Sequence, residues 1–205
     1  MNVVQLLPIL GRSSDGSGLG LKDGRAPDPE PELSADLRRN FGASLGLNRL
    51  ASAISAELRV RCEVVPTALD PAPSFHSGRQ QYHSTDLLAR MQKHLTPSCW
   101  RVLGVTPLDL YIPILTFVFG EAQLEGGCAL VSTYRLRQEF YGLPSDPDLL
   151  LQRLAKEAIH ELGHTLGLTH CEDYECVMAP SHAVEWIDLK SSHACRECRR
   201  AIAGC

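Results

Sequence analysis

The chain has 205 residues, 44% of them apolar and 21% charged, and carries a formal net charge of −4. That length fits one domain with a core of its own, and the composition excludes wholesale disorder. The near-neutral, slightly acidic balance leaves no electrostatic footprint for nucleic acid or an anionic membrane.

In chain order, Val3 to Leu10 reads as a short buried strand. The first ten residues hold no basic segment and no small-residue cleavage site, so no targeting signal is expected. Gly11 to Pro31 is dense in Gly, Ser, Asp and Pro, and reads as a flexible insertion. Ser34 is placed to cap a helix through Leu37, Phe41 and Leu45. Gly46 is expected to break or kink it, and a second helical stretch runs Leu50 to Leu58. Val60 to Val65 alternates as a strand, ended by Pro66, and a Pro-rich loop follows to Gly78. Ser84 is placed to cap a helix with the apolar stripe Leu87, Leu88, Met91 and Leu95, in which Met91 fills core. Three further strands are predicted over Trp100–Val105, Thr116–Ala122 and Cys128–Thr133, with a turn at Gly126-Gly127. The longest apolar stretch, Leu110 to Phe119, contains Pro113 and is about half of the ~20 residues that span a bilayer. No membrane association is expected, and the cytoplasm is the expected compartment. Pro147 with Asp148 opens a long helix from about Leu149 to Leu166, whose apolar face keeps a period near 3.6. The alternation of strand and helix predicts an α/β fold with a largely parallel sheet and no internal repeat.

The 8 Cys and 8 His are the unusual counts. On the long helix, His160-Glu161-Leu-Gly-His164 puts two imidazoles one turn apart on the same face, so both can reach one ion. Glu161 stands about 100° round the helix, where its carboxylate can reach a water at the metal without ligating it. Gly167 suits the left-handed conformation that ends a helix, after which the chain can return His170 to the same ion. Three protein ligands with a fourth position left for water is the catalytic arrangement of zinc. Farther on, Cys171, Cys176, Cys195 and Cys198 form two short-spaced pairs, as in Cys₄ structural zinc sites. A redox CxxC pair or two disulfides are the alternatives. Cys171 follows His170 directly, so the two sites are expected to be mechanically linked.

The string HExxHxxGxxH over His160–His170, continued by Cys171-x4-Cys176-x-Met178 and the downstream pair Cys195 and Cys198, resembles the archaemetzincin family of metzincin zinc peptidases. The segments Arg101–Thr106, Phe117–Gln123 and Phe140–Pro144 also look like that family. The resemblance covers nearly the whole chain except residues 11–31. It implies a single metzincin-like domain over residues 1–205, with a twisted five-stranded mixed sheet over the active-site helix. One edge strand would be antiparallel, with Thr116–Ala122 the candidate, and residues 171–205 would hold the structural site. It implies two Zn²⁺ per chain and a methionine turn at Met178 that supports the histidines without ligating. It also implies a metallopeptidase in which Glu161 is the general base. Peptide or protein is the expected substrate, the chain is expected to be a monomer, and nucleic acid and membrane are not expected partners. A zinc-stabilised peptide-binding protein with little or no proteolytic activity is the alternative. The arginines Arg196, Arg199 and Arg200 would also allow a nucleic-acid-binding zinc module, which the net charge opposes. Cys62, Cys99, Cys128 and Cys205 have no ligand spacing and read as free thiols. His76, His83, His94, His182 and His193 read as surface residues, with His182 the one that could line a cleft. Tyr134, Tyr141 and His182 are the candidate oxyanion donors.

Overall fold

The computed structural model describes residues 2–10 and 45–203. The expected insertion at 11–31, the helix capped by Ser34 and residue Cys205 lie outside the described residues.

Five strands form the main sheet: β1 (Val3–Pro8), β2 (Arg61–Val64), β5 (Arg101–Thr106), β7 (Gly120–Ala122) and β8 (Cys128–Ser132). Their order is β2-β1-β5-β8-β7, with every pair parallel except β7 against β8. β7 is therefore the antiparallel edge, with Gly120 opposite Val131 and Ala122 opposite Ala129. Three short strands, β3 (Phe75–His76), β4 (Gln81–His83) and β6 (Leu110–Tyr111), form a second small sheet. The helices are α1 (Leu45–Leu58), α2 (Ser84–Met91), α3 (Pro147–Thr165), α4 (Val184–Leu189) and α5 (Arg196–Ala203).

A parallel sheet must be covered on both faces, and side-chain parity along the strands shows how this is done. Val4 and Leu6 on β1, Leu103 and Val105 on β5, and Ala129 and Val131 on β8 pack with α1 and α3. Leu7, Val102, Cys128 and Leu130 point the other way and pack with Leu87, Leu88 and Met91 of α2. Helices α1 and α3 thus lie side by side on one face of the sheet, α1 against β2 and α3 against β8 and β7.

Three local expectations differ from the structure. Helix α1 includes Gly46 and so starts before the expected Leu50, with Leu47, Leu50, Ala51 and Ile54 buried; the expected break from the helix capped by Ser34 lies outside the described residues. Ser84 is not the cap of α2: His83 holds that position without a side-chain bond, and the Ser84 hydroxyl donates to the Tyr111 carbonyl and the Glu121 carboxylate. The edge strand is shorter than Thr116–Ala122, since residues before Gly120 turn away to bridge β6 through Val118 and Leu110.

Candidate metal centre

Helix α3 starts at a cap that the sequence supplies. The Asp146 carboxylate accepts from the Leu149 amide at 2.9 Å, and Pro147 in the first turn needs no amide partner. The helix ends just after His164. Gly167 adopts φ +87°, its N–H donates to the His164 carbonyl at 3.0 Å, and the Leu168 N–H donates to the Gly163 carbonyl at 3.1 Å. This paired closure requires a residue without a Cβ at 167, and it turns the chain so that His170 comes back beside the helix.

The imidazoles of His160 and His164 are oriented through Nδ1. His160 Nδ1 lies 2.9 Å from the Val177 carbonyl and His164 Nδ1 lies 2.7 Å from the Leu168 carbonyl. A carbonyl can only accept, so each ring carries its proton on Nδ1 and presents a lone pair at Nε2. The two Nε2 atoms stand 3.1 Å apart. The ring of His170 lies 5.3 Å and 5.0 Å, centroid to centroid, from those of His160 and His164. Two lone pairs facing one another repel unless a cation lies between them. Zinc bound at 2.0–2.1 Å in tetrahedral geometry separates its nitrogen ligands by about 3.3 Å, so these donors fit it. Burial first, and then the Lys190 ammonium, depress His160 to about 2, and burial also lowers His164 and His170. All three therefore stay neutral at neutral pH, as metal ligands must.

Glu161 is buried beneath the edge strand. A Cβ built on Gly120 would stand 2.6 Å from both Cγ and Oε1 of Glu161. Burial, and then the neighbouring Glu157 carboxylate, push the Glu161 carboxyl well above the usual carboxylate range. On the other side of the helix, the Met178 sulfur fills the space that a Cβ on Gly163 would need. Met178 is 1% exposed, at a bend formed by residues 176–179 whose Ala179 N–H donates to the Cys176 carbonyl at 2.9 Å.

The four cysteine sulfurs lie within 4.8 Å of one another, with Cys171 and Cys195 at 3.9 Å. A disulfide needs about 2.05 Å, so that pair is not bonded. Tetrahedral zinc with bonds near 2.3 Å separates its sulfurs by about 3.8 Å, which fits. Backbone amides of Met178 and Cys195 donate to Cys176 Sγ at 3.4 and 3.2 Å. The Cys171 amide donates to the Met178 carbonyl at 3.0 Å, tying this cluster to the bend under the histidines. Among the described residues, these two groups are the His, Cys, Asp and Glu clusters able to hold an ion. Cys62, Cys99 and Cys128 stand outside both, and burial pushes Cys62 up to about 12 and Cys128 up to about 11.

The three candidate oxyanion donors separate. Tyr141 donates its hydroxyl to the Arg135 carbonyl at 2.9 Å, and the Tyr134 ring packs 5.4 Å from Phe140 with Arg137 over it. His182 is exposed and packs 5.2 Å from Trp186. Sequence reasoning missed Gly120 and Gly163. A small residue between the two helical histidines was a signal for the second, while the first depends on a strand crossing that no local pattern reveals.

Residues 81–203 match the model of peptidase family M54. The archaemetzincin of Methanocaldococcus jannaschii is 41% identical over 175 residues, which is 85% of this chain and 88% of that one. The crystal structure of the Methanopyrus kandleri archaemetzincin superposes with a TM-score of 0.70 at 33% identity, covering 99% of this chain and 94% of that one. The archaemetzincin of Archaeoglobus fulgidus, crystallised with malonate, gives a TM-score of 0.69 at 30% identity, covering 97% and 99%. With its paired histidine and cysteine clusters on the same fold, the chain belongs to peptidase family M54, the archaemetzincins, and is a zinc-dependent metallopeptidase.

Proposed function

We propose that His160, His164 and His170 hold the catalytic zinc and that Glu161 is the general base of peptide-bond hydrolysis. The observation that carries this is the 3.1 Å approach of two Nε2 lone pairs whose rings are each locked by a carbonyl at Nδ1. Zinc, when bound, supplies a Lewis acid that polarises the scissile carbonyl and acidifies water. The protein's own residues do the rest. Glu161 lies one residue from a ligand and is shielded from solvent, and its raised proton affinity suits it to take a proton from the attacking water. It then delivers that proton to the leaving amine. Gly120–Ala122 on the sheet edge offers backbone groups for an extended peptide, and Gly120 leaves room above Glu161.

Cys171, Cys176, Cys195 and Cys198 hold a second, structural zinc in this scheme, and Gly167 and Met178 support the first. The protein then acts as a single domain with two zinc ions per chain. The experiment is a peptide-library cleavage screen with metal analysis, using Glu161→Gln as control. Wild type should cleave with two zinc per chain. Glu161→Gln should keep its zinc and lose turnover by a factor of 10² or more. Unchanged turnover in the variant would refute the role of Glu161. Peptide binding without cleavage by the zinc-loaded wild type would favour the binding-protein alternative.

A further inference from the structure

Lys190 is among the most deeply buried side chains of the protein, at 2% exposure. Its ammonium lies 2.8 Å from Glu157 Oε1, whose side chain is 4% exposed, one turn before Glu161 on α3. The aligned hydrogen bond of that ammonium goes elsewhere. It donates to the Ala179 carbonyl at 3.1 Å, while Glu157 Oε1 stands off the hydrogen-bonding direction. A buried ammonium costs several kcal/mol of desolvation, and a well-packed neutral pair would be as stable or more so. The ion pair is therefore poorly explained by stability alone.

The bend at Met178 supplies the reason. Its four successive carbonyls each take a different donor. Cys176 takes the Ala179 amide, and Val177 takes His160 Nδ1. Met178 takes the Cys171 amide, and Ala179 takes Lys190. Two of those donors lead directly to the metal clusters, one through His160 and one through Cys171. Lys190 is the only one of the four that comes from the segment beyond α4. Main-chain bonds hold that segment in place, from Ser191 to the Glu175 carbonyl at 2.8 Å and from Val177 to the His193 carbonyl at 2.9 Å. If the Ala179 carbonyl lost its donor, the Val177 carbonyl two residues earlier would be free to shift, and it fixes the ring of His160.

We propose that Lys190 is a positioning residue of the catalytic centre, pinning the Ala179 carbonyl and so fixing the bend that orients His160, with Glu157 neutralising its charge. This rests on the assignment of His160 as a zinc ligand. Groups that orient a metal ligand through its second nitrogen typically change metal affinity or activity by about 10–100-fold when lost.

The experiment compares wild type with Lys190→Met, Glu157→Gln/Lys190→Met, Glu157→Gln and His160→Ala. Each is measured for zinc affinity at the histidine site by chelator competition, for thermal stability, and for kcat and KM separately. The single Lys190→Met leaves Glu157 buried and unpaired, so it should lose stability. The double variant removes both charges and should regain most of it, yet kcat and zinc affinity should stay down by about 10-fold or more, with KM within about 2-fold. Recovery of kcat and zinc affinity together with stability would show the pair to be merely structural and overturn the proposal. Glu157→Gln keeps the bond from Lys190 to Ala179, so its zinc affinity at the histidines should stay within about 3-fold of wild type, whatever the lost carboxylate does to Glu161 and kcat. A loss of zinc affinity in Glu157→Gln as large as that expected of the double variant overturns the proposal even if the double variant does not fold. His160→Ala separates the two assignments. Zinc retained there overturns both, whereas zinc lost there but held at wild-type affinity by the double variant overturns only the role of Lys190.

Discussion

Gly120→Ala is the sharpest probe of how the edge strand and the proposed general base fit together. The added Cβ would meet Glu161 Cγ and Oε1 at 2.6 Å and the Leu130 carbonyl oxygen at 2.7 Å. Carbon atoms in contact prefer about 3.5–4.0 Å, so roughly 1 Å must be found. Leu130 cannot give it, because β8 is fully buried and paired on both sides. Glu161 must move, and a displacement of about 1 Å in a reacting group costs on the order of 10²-fold in rate. Overpacking adds a stability loss of about 1–3 kcal/mol. The expected result is kcat down by about 100-fold with zinc per chain unchanged, since the steric contacts of the new Cβ are with Glu161 and Leu130 and not with the histidines. The assay is steady-state hydrolysis of a cleaved library peptide, with metal analysis and a thermal melt on the same preparation. Gly120→Ala added to Glu161→Gln should cost little further, because both act on one group. A kcat within 3-fold of wild type, or a full second loss in the Glu161→Gln background, would refute this account.

Four other outcomes follow from the same geometry. Gly163→Ala pushes Met178 out of its place under the histidines and should weaken zinc binding there by about 10–100-fold in chelator competition; an unchanged affinity would mean that the thioether simply swings aside. Cys198→Ser should leave one zinc per chain and loosen His170, and full zinc occupancy at the histidines would count against the link through Cys171. Acid should strip the two clusters in order, because burial keeps the histidines neutral whereas it raises the thiols of Cys171 and Cys198, against a lowering of Cys195 by the Cys198 amide, so protons compete harder for the cysteine site. Zinc released from the histidines first, as pH is lowered from 7, would contradict that order. Arg153→Met removes a guanidinium that meets Asp188 at 2.7 and 2.6 Å and the Leu136 carbonyl at 2.7 Å, and should cost about 2–3 kcal/mol in urea unfolding. A cost below about 0.5 kcal/mol would show the pair to be solvated.

The two candidate metal clusters were largely legible in the sequence because their residues sit on one helix, one tight turn and two short cysteine pairs, all governed by local spacing. The same holds for α3, whose cap, proline and closing glycine are all local signals, and for the five main strands with their parallel order. Lys190 and Glu157 were illegible for the opposite reason. They are 33 positions apart, and a lysine in a polar stretch gives no sign that it will be buried. Gly120 falls inside the predicted strand Thr116–Ala122, and nothing local shows that Glu161 lies against it. The second sheet escaped because strands of two or three residues are too short to show a period. Tertiary contacts also overrode one local rule at the serine beside α2, whose hydroxyl is taken by Tyr111 and Glu121 instead of capping the helix.

An open sheet edge that can welcome a peptide can also welcome another copy of itself, and every exposed edge carries that risk of aggregation. Here β7 has only three residues, one of them without a side chain and one a carboxylate held by Ser84 and Thr85. Three residues give a passing chain a few backbone bonds, which bound zinc and the cleft walls can add to, but too few to template a growing sheet. Resistance to self-assembly is thereby written into the same short strand that the proposed mechanism offers to the substrate.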